Sequence, residues 1–180
     1  SAYIPLAGPA NKQGRIAAEH IAGISRGYSG TQGSMIVKVF DLAVGTTGIN
    51  EVTARSLGLD YDKIYLTAAS HADYYPGAKL LTIKIIFENT GGRILGAQMI
   101  GKEGVDKRID VLATAIRHHM TAYDLSELEL AYAPPFSSAK DPINIAGFMI
   151  ENLLSGRANQ YYWDEVEQIQ RDGEQLIDVR

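Results

Sequence analysis

At 180 residues and 19.6 kDa, with 46% hydrophobic and 21% charged residues, the chain can bury one ordinary core and is too apolar for wholesale disorder. Its 17 basic and 21 acidic residues give a net charge of −4 without any basic block, which argues against nucleic acid or an anionic membrane as a partner. The sequence has no cysteine, which excludes disulfides, thiolate metal sites and a cysteine nucleophile supplied by this chain, and fits a reducing, cytoplasmic setting.

The elements follow in chain order. Tyr3 to Gly8 reads as an extended apolar run, and Pro9 sits where a helix accepts proline, in its first turn. Ile16, Ala17, Ile21 and Ile24 recur at helical spacing over residues 10–24, with Gly23 and Gly27 placed to end the helix. Residues 28–34 read as a loop, residues 35–44 as one alternating strand, and residues 45–48 as a turn. Asn50 is expected to cap a helix that runs to Leu57 and stops at Gly58. Residues 63–70 form a second strand, and residues 71–77 a loop with turn chemistry at Pro76-Gly77.

The clearest hairpin comes next. Residues 80–88 alternate and are rich in β-branched side chains, Asn89-Thr90-Gly91-Gly92 supplies the turn, and residues 93–101 return. Gly96 in the returning arm marks a bulge or a close backbone approach. Ile109, Leu112, Ala113 and Ile116 share one face of a helix over residues 105–120, and Thr121 with Asp124 makes a capping-box pattern for a short helix to residue 128. Tyr132-Ala133-Pro134-Pro135-Phe136 forms a rigid extended loop, and Asp141-Pro142 starts a helix over residues 143–154 that is apolar nearly all round. A subunit partner is a natural cover for it. Residues 156–160 read as a polar linker, 161–172 as a short helix and 175–180 as a strand. A chain that opens at Ser1 without methionine and stops mid-strand is expected to be a piece of a larger protein. No run of about 18 apolar residues suggests a membrane span, and the first residues lack the basic-then-apolar order of a secretory signal.

Candidate chemistry is sparse. None of the four histidines has metal-ligand spacing with acidic neighbours, and adjacent His118 and His119 point about 100° apart on a helix, so no metal site is expected. His71 is set apart by opening a loop with two tyrosines, although a structural role suits it better than that of a general base. No complete glycine fingerprint for dinucleotides or triphosphates occurs. The helix start near Gly8, Ala10 and Asn11 offers free backbone N–H groups to an electron-rich edge. Tyr74 and Tyr132 stand in proline-stiffened loops that either pack the ring or present the hydroxyl.

Three multi-residue motifs, in order, resemble FAD-dependent pyridine nucleotide–disulfide oxidoreductases. The branch is the one holding NADH oxidases, NADH peroxidases and coenzyme A-disulfide reductases. Residues 4–15 (IPLAGPANKQGR) resemble the last flavin-contacting segment of that family. His71-Ala72-Asp73-Tyr74-Tyr75-Pro76-Gly77, and Leu130 to Ser137 followed by Lys140-Asp141-Pro142, resemble its C-terminal dimerisation domain. The tail, Trp163 to Val166 and Leu176 to Arg180, resembles the opening of a rhodanese domain.

The resemblance implies an α+β fold, a mostly antiparallel sheet with helices on one face. It divides the chain into a remnant of the FAD domain (1–27), a dimerisation domain (28–155), a linker (156–160) and a truncated rhodanese start (161–180). The full-length parent would use FAD and NAD(P)H, with coenzyme A as a candidate ligand, to reduce coenzyme A disulfide or a persulfide through a cysteine outside this chain; the fragment alone would be inactive. Leu6, Ala7, Gly8, Ala10 and Asn11 would meet the flavin. Tyr74 and Tyr132 would reach across a homodimer's two-fold interface, partly formed by the helices 105–120 and 143–154, into the partner's site. NADH oxidase or peroxidase chemistry, or a purely structural dimerisation module, remain as alternatives.

Overall fold

A computed structural model describes residues 3–173 and 175–177. Helix α1 (Ala7–Ile21) begins at Ala7, three residues earlier than the sequence suggests, with Leu6 as its N-cap. Proline costs nothing in a first turn, where N–H groups have no intrahelical acceptor, so Ala7 and Gly8 wind into the helix ahead of Pro9. The segment read as one strand over residues 35–44 is a hairpin: β1 (Met35–Val39) and β2 (Leu42–Gly48) pair antiparallel, Val39 against Leu42. The turn is Phe40-Asp41, with Phe40 at φ 55°. A bulky residue in left-handed backbone carries no turn signature, and residues 45–48, read as the turn, lie inside β2.

Helix α2 (Glu51–Ser56) is capped as expected, the Asn50 side chain accepting from Thr53 N–H at 2.8 Å. Strands β3 (Tyr61–Ala69), β4 (Leu80–Glu88) and β5 (Ile94–Gly101) follow. The remaining helices are α3 (Val105–Arg117), α4 (Ala122–Glu127), α5 (Pro142–Leu154) and α6 (Val166–Arg171). The expected capping box is present at α4, Thr121 with Asp124, and the expected cap Asp141 at α5 proves to be half of a second box, completed by Asn144. The tail helix is shorter than its expected span of 161–172. Residues 175–177 are not strand, and residues 178–180 of the expected strand lie outside the described residues.

One five-stranded sheet, ordered β1-β2-β5-β4-β3 and antiparallel throughout, carries the fold. Alternation splits it into two faces. Leu81, Ile83, Ile85 and Phe87 of β4, with Ile64, Ala97 and Met99, point to the inner face. There they meet Val105, Ile109 and Leu112 of α3, Leu125 of α4, and Ile143, Ala146 and Ile150 of α5. Each such fully buried aliphatic side chain contributes roughly 1.5–3 kcal/mol. The apolar circumference of α5 is thus covered largely by α4 and the sheet of its own chain, and only Phe148 among its large apolar residues stays exposed.

The outer face is polar. Lys63 and Lys84 converge on Glu51 of α2 at 2.6 and 2.5 Å. The end of the polar linker and the residues after it run along this face. Gln160 Nε2 donates to the Lys63 carbonyl at 2.6 Å, Tyr162 donates its hydroxyl proton to the Asp62 carboxylate, and Lys63 Nζ lies 4.4 Å from the Tyr162 ring centroid. Burial together with the Asp62 hydrogen bond drives the Tyr162 phenol far above its ordinary range.

Gly96 is the close backbone approach anticipated from its place in the hairpin. A Cβ there would stand 1.8 Å from the Ile49 carbonyl oxygen, and the β4–β5 register shifts alongside it, between Ile86 and Phe87. Gly96→Ala is therefore expected to cost roughly 2–4 kcal/mol and to lower the thermal unfolding midpoint by roughly 5–15 °C; a melt that matches the wild type refutes the crowding. The Lys63 and Lys84 hydrogen bonds hold the Glu51 carboxyl down to about 2, against an ordinary value of 4.5. A depressed folded-state value stabilises the fold fully above the ordinary value, and that contribution is lost as pH falls through about 2. Chemical-denaturation midpoints between about pH 5 and pH 2.5 should accordingly fall less steeply for Glu51→Gln than for wild type; parallel slopes rule out this linkage.

Candidate functional site

Tyr74 and Tyr132, 58 positions apart in sequence, meet: their hydroxyl oxygens are 3.0 Å apart. Both rings face solvent, at 73% and 46% exposure, so neither hydroxyl is sealed within the subunit. The shared hydrogen bond is the main influence raising the Tyr74 pKa above that of an ordinary phenol, with burial and the neighbouring Asp73 charge acting the same way. Tyr74 therefore keeps its proton at neutral pH and remains a donor.

The loops that carry the pair explain how two exposed rings hold one geometry. The first leaves β3 at Ser70, whose N–H donates to the Lys79 carbonyl at 2.8 Å and whose Oγ accepts from the Lys79 N–H at 3.1 Å, pinching the loop at its base. Tyr75 N–H donates to the Ala72 carbonyl at 3.0 Å within it. In the second loop, Phe136 and Ser137 N–H groups donate to the Ala133 carbonyl at 2.8 and 3.1 Å, a compact turn that encloses the two prolines where the sequence suggests an extended loop. Ala72 N–H donates to the Ser137 carbonyl at 3.0 Å and joins the loops.

His71 lies buried beneath the first loop, its ring edge-on to Tyr75 at 5.7 Å between centroids and its Nδ1 3.0 Å from the Ala72 carbonyl. That is a packing role. Beneath both loops lies an ion pair that sequence reasoning missed. Arg108 of α3 is fully buried and donates to both carboxylate oxygens of Asp141, at 3.1 and 2.9 Å. Asp141 was legible as a helix cap only. The available signal was Arg108 itself, a cation placed between Val105, Ile109 and Leu112 on the apolar stripe of α3.

The expected flavin-contacting residues cluster at the start of α1. Leu6 occupies the N-cap, and no side chain caps the helix. The N–H groups of Ala7 and Gly8 have no intrahelical acceptor, and space is open beside Gly8. Ala10 N–H is committed to the Leu6 carbonyl at 3.2 Å, and the Asn11 amide donates back to the Ala7 carbonyl at 3.0 Å. This turn suits an electron-rich acceptor edge, through Ala7 and Gly8 rather than through the Asn11 side chain. It borders a cleft of about 520 Å³ shared with Lys12, Tyr28, Gln32 and Arg117, and the tyrosine pair does not line that cleft. Among the described residues, no group of three or more His, Asp or Glu is placed to hold a metal ion, and no helix is long and apolar enough to cross a membrane.

Comparison with known proteins fits this architecture. Coenzyme A disulfide reductase of Staphylococcus aureus is 40% identical over 148 residues, covering 82% of this chain and 33% of that protein. The chain thus spans about a third of the length of the curated relatives it matches. Among solved structures, reduced Bacillus anthracis CoADR-RHD is 48% identical with a TM-score of 0.92, over 96% of this chain and 31% of that one. The NAD-dependent persulfide reductase from A. fulgidus is 39% identical with a TM-score of 0.88, over 91% and 31%. The dimerisation domain of pyridine nucleotide-disulphide oxidoreductases matches residues 34–142, which takes in the whole sheet, helices α2 to α4 and the loops that bear both tyrosines, and the chain belongs to that family.

Proposed function

We infer that this chain is the subunit-pairing part of a flavin-dependent NAD(P)H oxidoreductase that reduces coenzyme A disulfide or a persulfide. The observation that carries the reading is the exposed Tyr74–Tyr132 hydroxyl pair, fixed at 3.0 Å on two tied loops. The relatives named above act, by their names, on coenzyme A disulfide and persulfide, which agrees with a site that handles sulfur leaving groups.

Reducing a disulfide consumes two electrons and two protons, and a hydride supplies both electrons but only one proton. The other must reach the departing thiolate from an acid. In this reading the phenol pair presents that acid to a sulfur centre in the partner subunit of a homodimer. One hydroxyl faces the thiolate while the other stabilises the phenol as its proton leaves. The sulfur centre is a cysteine that this chain, which has none, does not supply.

FAD, when bound, supplies the two-electron chemistry. Ala7 and Gly8 would hold its electron-rich edge with the N–H groups of the first turn of α1, while Leu6, whose N–H is donated to the Ile4 carbonyl, and Ala10 and Asn11 shape that turn. In support, none of the residues of α1 is fully buried among the described residues, as suits a helix that belongs with another domain. Residues 1–27 are accordingly assigned to the FAD domain, 28–155 to the dimerisation domain and 161–180 to the start of a rhodanese domain. No group in this chain is assigned to NAD(P)H.

In the full-length flavoprotein, Tyr132→Phe should lower turnover of coenzyme A disulfide by roughly tenfold to a hundredfold, with flavin content and dimer mass unchanged. Tyr74→Phe should act in the same direction. Wild-type turnover in both single variants and in the double variant would remove the catalytic role and leave a pairing module.

A further inference from the structure

The tyrosine hydroxyls touch at the tips of their loops, and what fixes the tips lies below them. Arg108 Nη2 donates to the Ser70 carbonyl at 2.9 Å, at the root of the Tyr74 loop. The same guanidinium holds Asp141 by two hydrogen bonds, at the end of the Tyr132 loop. Asp141 Oδ2 also accepts the Ser137 hydroxyl at 2.6 Å, five positions after Tyr132. Ser137 in turn accepts the Ala72 N–H on its carbonyl. The circuit Ser70–Arg108–Asp141–Ser137–Ala72 therefore closes across both loops, and its side chains are buried.

Two further features show that this geometry is built rather than incidental. Gly104 caps α3 at φ 78°, and a Cβ there would meet Arg108 Nη1 at 2.3 Å, so a glycine is required for the guanidinium to lie where it does. Arg108 Nη1 donates to the Gly104 carbonyl at 3.1 Å, so Nε, Nη1 and Nη2 all have acceptors. Asp141 additionally caps α5, accepting the Ile143 N–H at 3.0 Å. Its carboxyl stays below the ordinary carboxylate range although burial pushes it up, because the Ile143 N–H, the Ser137 hydroxyl and Arg108 outweigh burial. The pair is thus ionised and satisfied.

We propose that Arg108, Asp141 and Ser137 are positioning residues that set the distance and direction of the Tyr74–Tyr132 hydroxyl pair toward the substrate sulfur. The proposal rests on the tyrosine pair being the acid of the reaction. A lysine at position 108 keeps the charge but cannot fork to the Asp141 carboxylate and the Ser70 carbonyl at once. Loss of the Ser137 hydroxyl removes one strut and leaves the ion pair, so that variant is expected to fold even where substitutions of Arg108 do not.

The test uses the full-length flavoprotein with coenzyme A disulfide and a double-mutant cycle. Ser137→Ala and Arg108→Lys should each lower kcat by roughly tenfold, since a misplacement of about 1 Å costs up to a hundredfold. The KM for NAD(P)H, the flavin content and the dimer mass should stay at wild-type values. In a Tyr74→Phe/Tyr132→Phe background, Ser137→Ala should change kcat by less than about twofold, because nothing remains to position. An equal fall in both backgrounds, or no fall in the wild-type background while the tyrosine variants are impaired, overturns the positioning role. Full turnover in the tyrosine double variant instead overturns the functional reading beneath it, so the two failures are told apart.

Discussion

The arrangement hangs on a buried charge pair. Taking a guanidinium and a carboxylate out of water is unfavourable by several kcal/mol per ion, and their attraction offsets this only when the remaining donors and acceptors are satisfied. Here they are: Arg108 reaches Asp141, Ser70 and Gly104, and Asp141 takes Ser137 and the Ile143 N–H besides. One pair thereby joins α3, α5 and two loops, tasks that apolar contacts, which lack direction, would perform with less definition. Long loops on a small domain are ordinarily its most mobile parts. Anchoring their roots in the interior lets exposed tips hold a chemical geometry.

The sheet divides the labour between its faces. Inward, alternation places Leu81, Ile83, Ile85 and Phe87 against three helices, and this layer is where the stability resides. Outward, the same alternation leaves Lys63, Tyr65 and Lys84 on a polar surface where Glu51 and the segment at Gln160 and Tyr162 settle. The segment at Gln160 and Tyr162 is therefore held to β3 by charge, hydrogen bonds and ring contacts. Helix α1 shows the contrary condition, a regular helix none of whose residues is fully buried.

The parts legible in the sequence were those with local causes. The β4–β5 hairpin carries its alternation and its Asn-Thr-Gly-Gly turn in adjacent residues, and the caps at Asn50, Thr121 and Asp141 are local hydrogen bonds. The β1–β2 turn was missed because Phe40 adopts left-handed backbone without a glycine or asparagine to announce it. Tyr74 and Tyr132 could be singled out by their proline-bearing loops and by resemblance, but their approach to 3.0 Å depends on long-range packing. Arg108 and Asp141 escaped for the same reason: 33 positions separate them, and neither displays its partner in its own neighbourhood. The polar composition of residues 156–160 reads as a linker and does not announce that Gln160 donates to the Lys63 carbonyl, 97 positions away.

The two margins of the sheet are unequally guarded. At β3 the Lys63 carbonyl accepts from Gln160, and the Tyr162 ring stands alongside. At the opposite margin β1 leaves its outer row of backbone groups unpaired among the described residues, and Met35, Ile36, Val37 and Val39 are exposed there with Lys38 as the sole charge. Phe40 juts from the hairpin tip, 93% exposed. Strand-on-strand aggregation of the isolated polypeptide is thus directed to one flank, and a charge or proline engineered into β1 is the natural remedy for poor solubility.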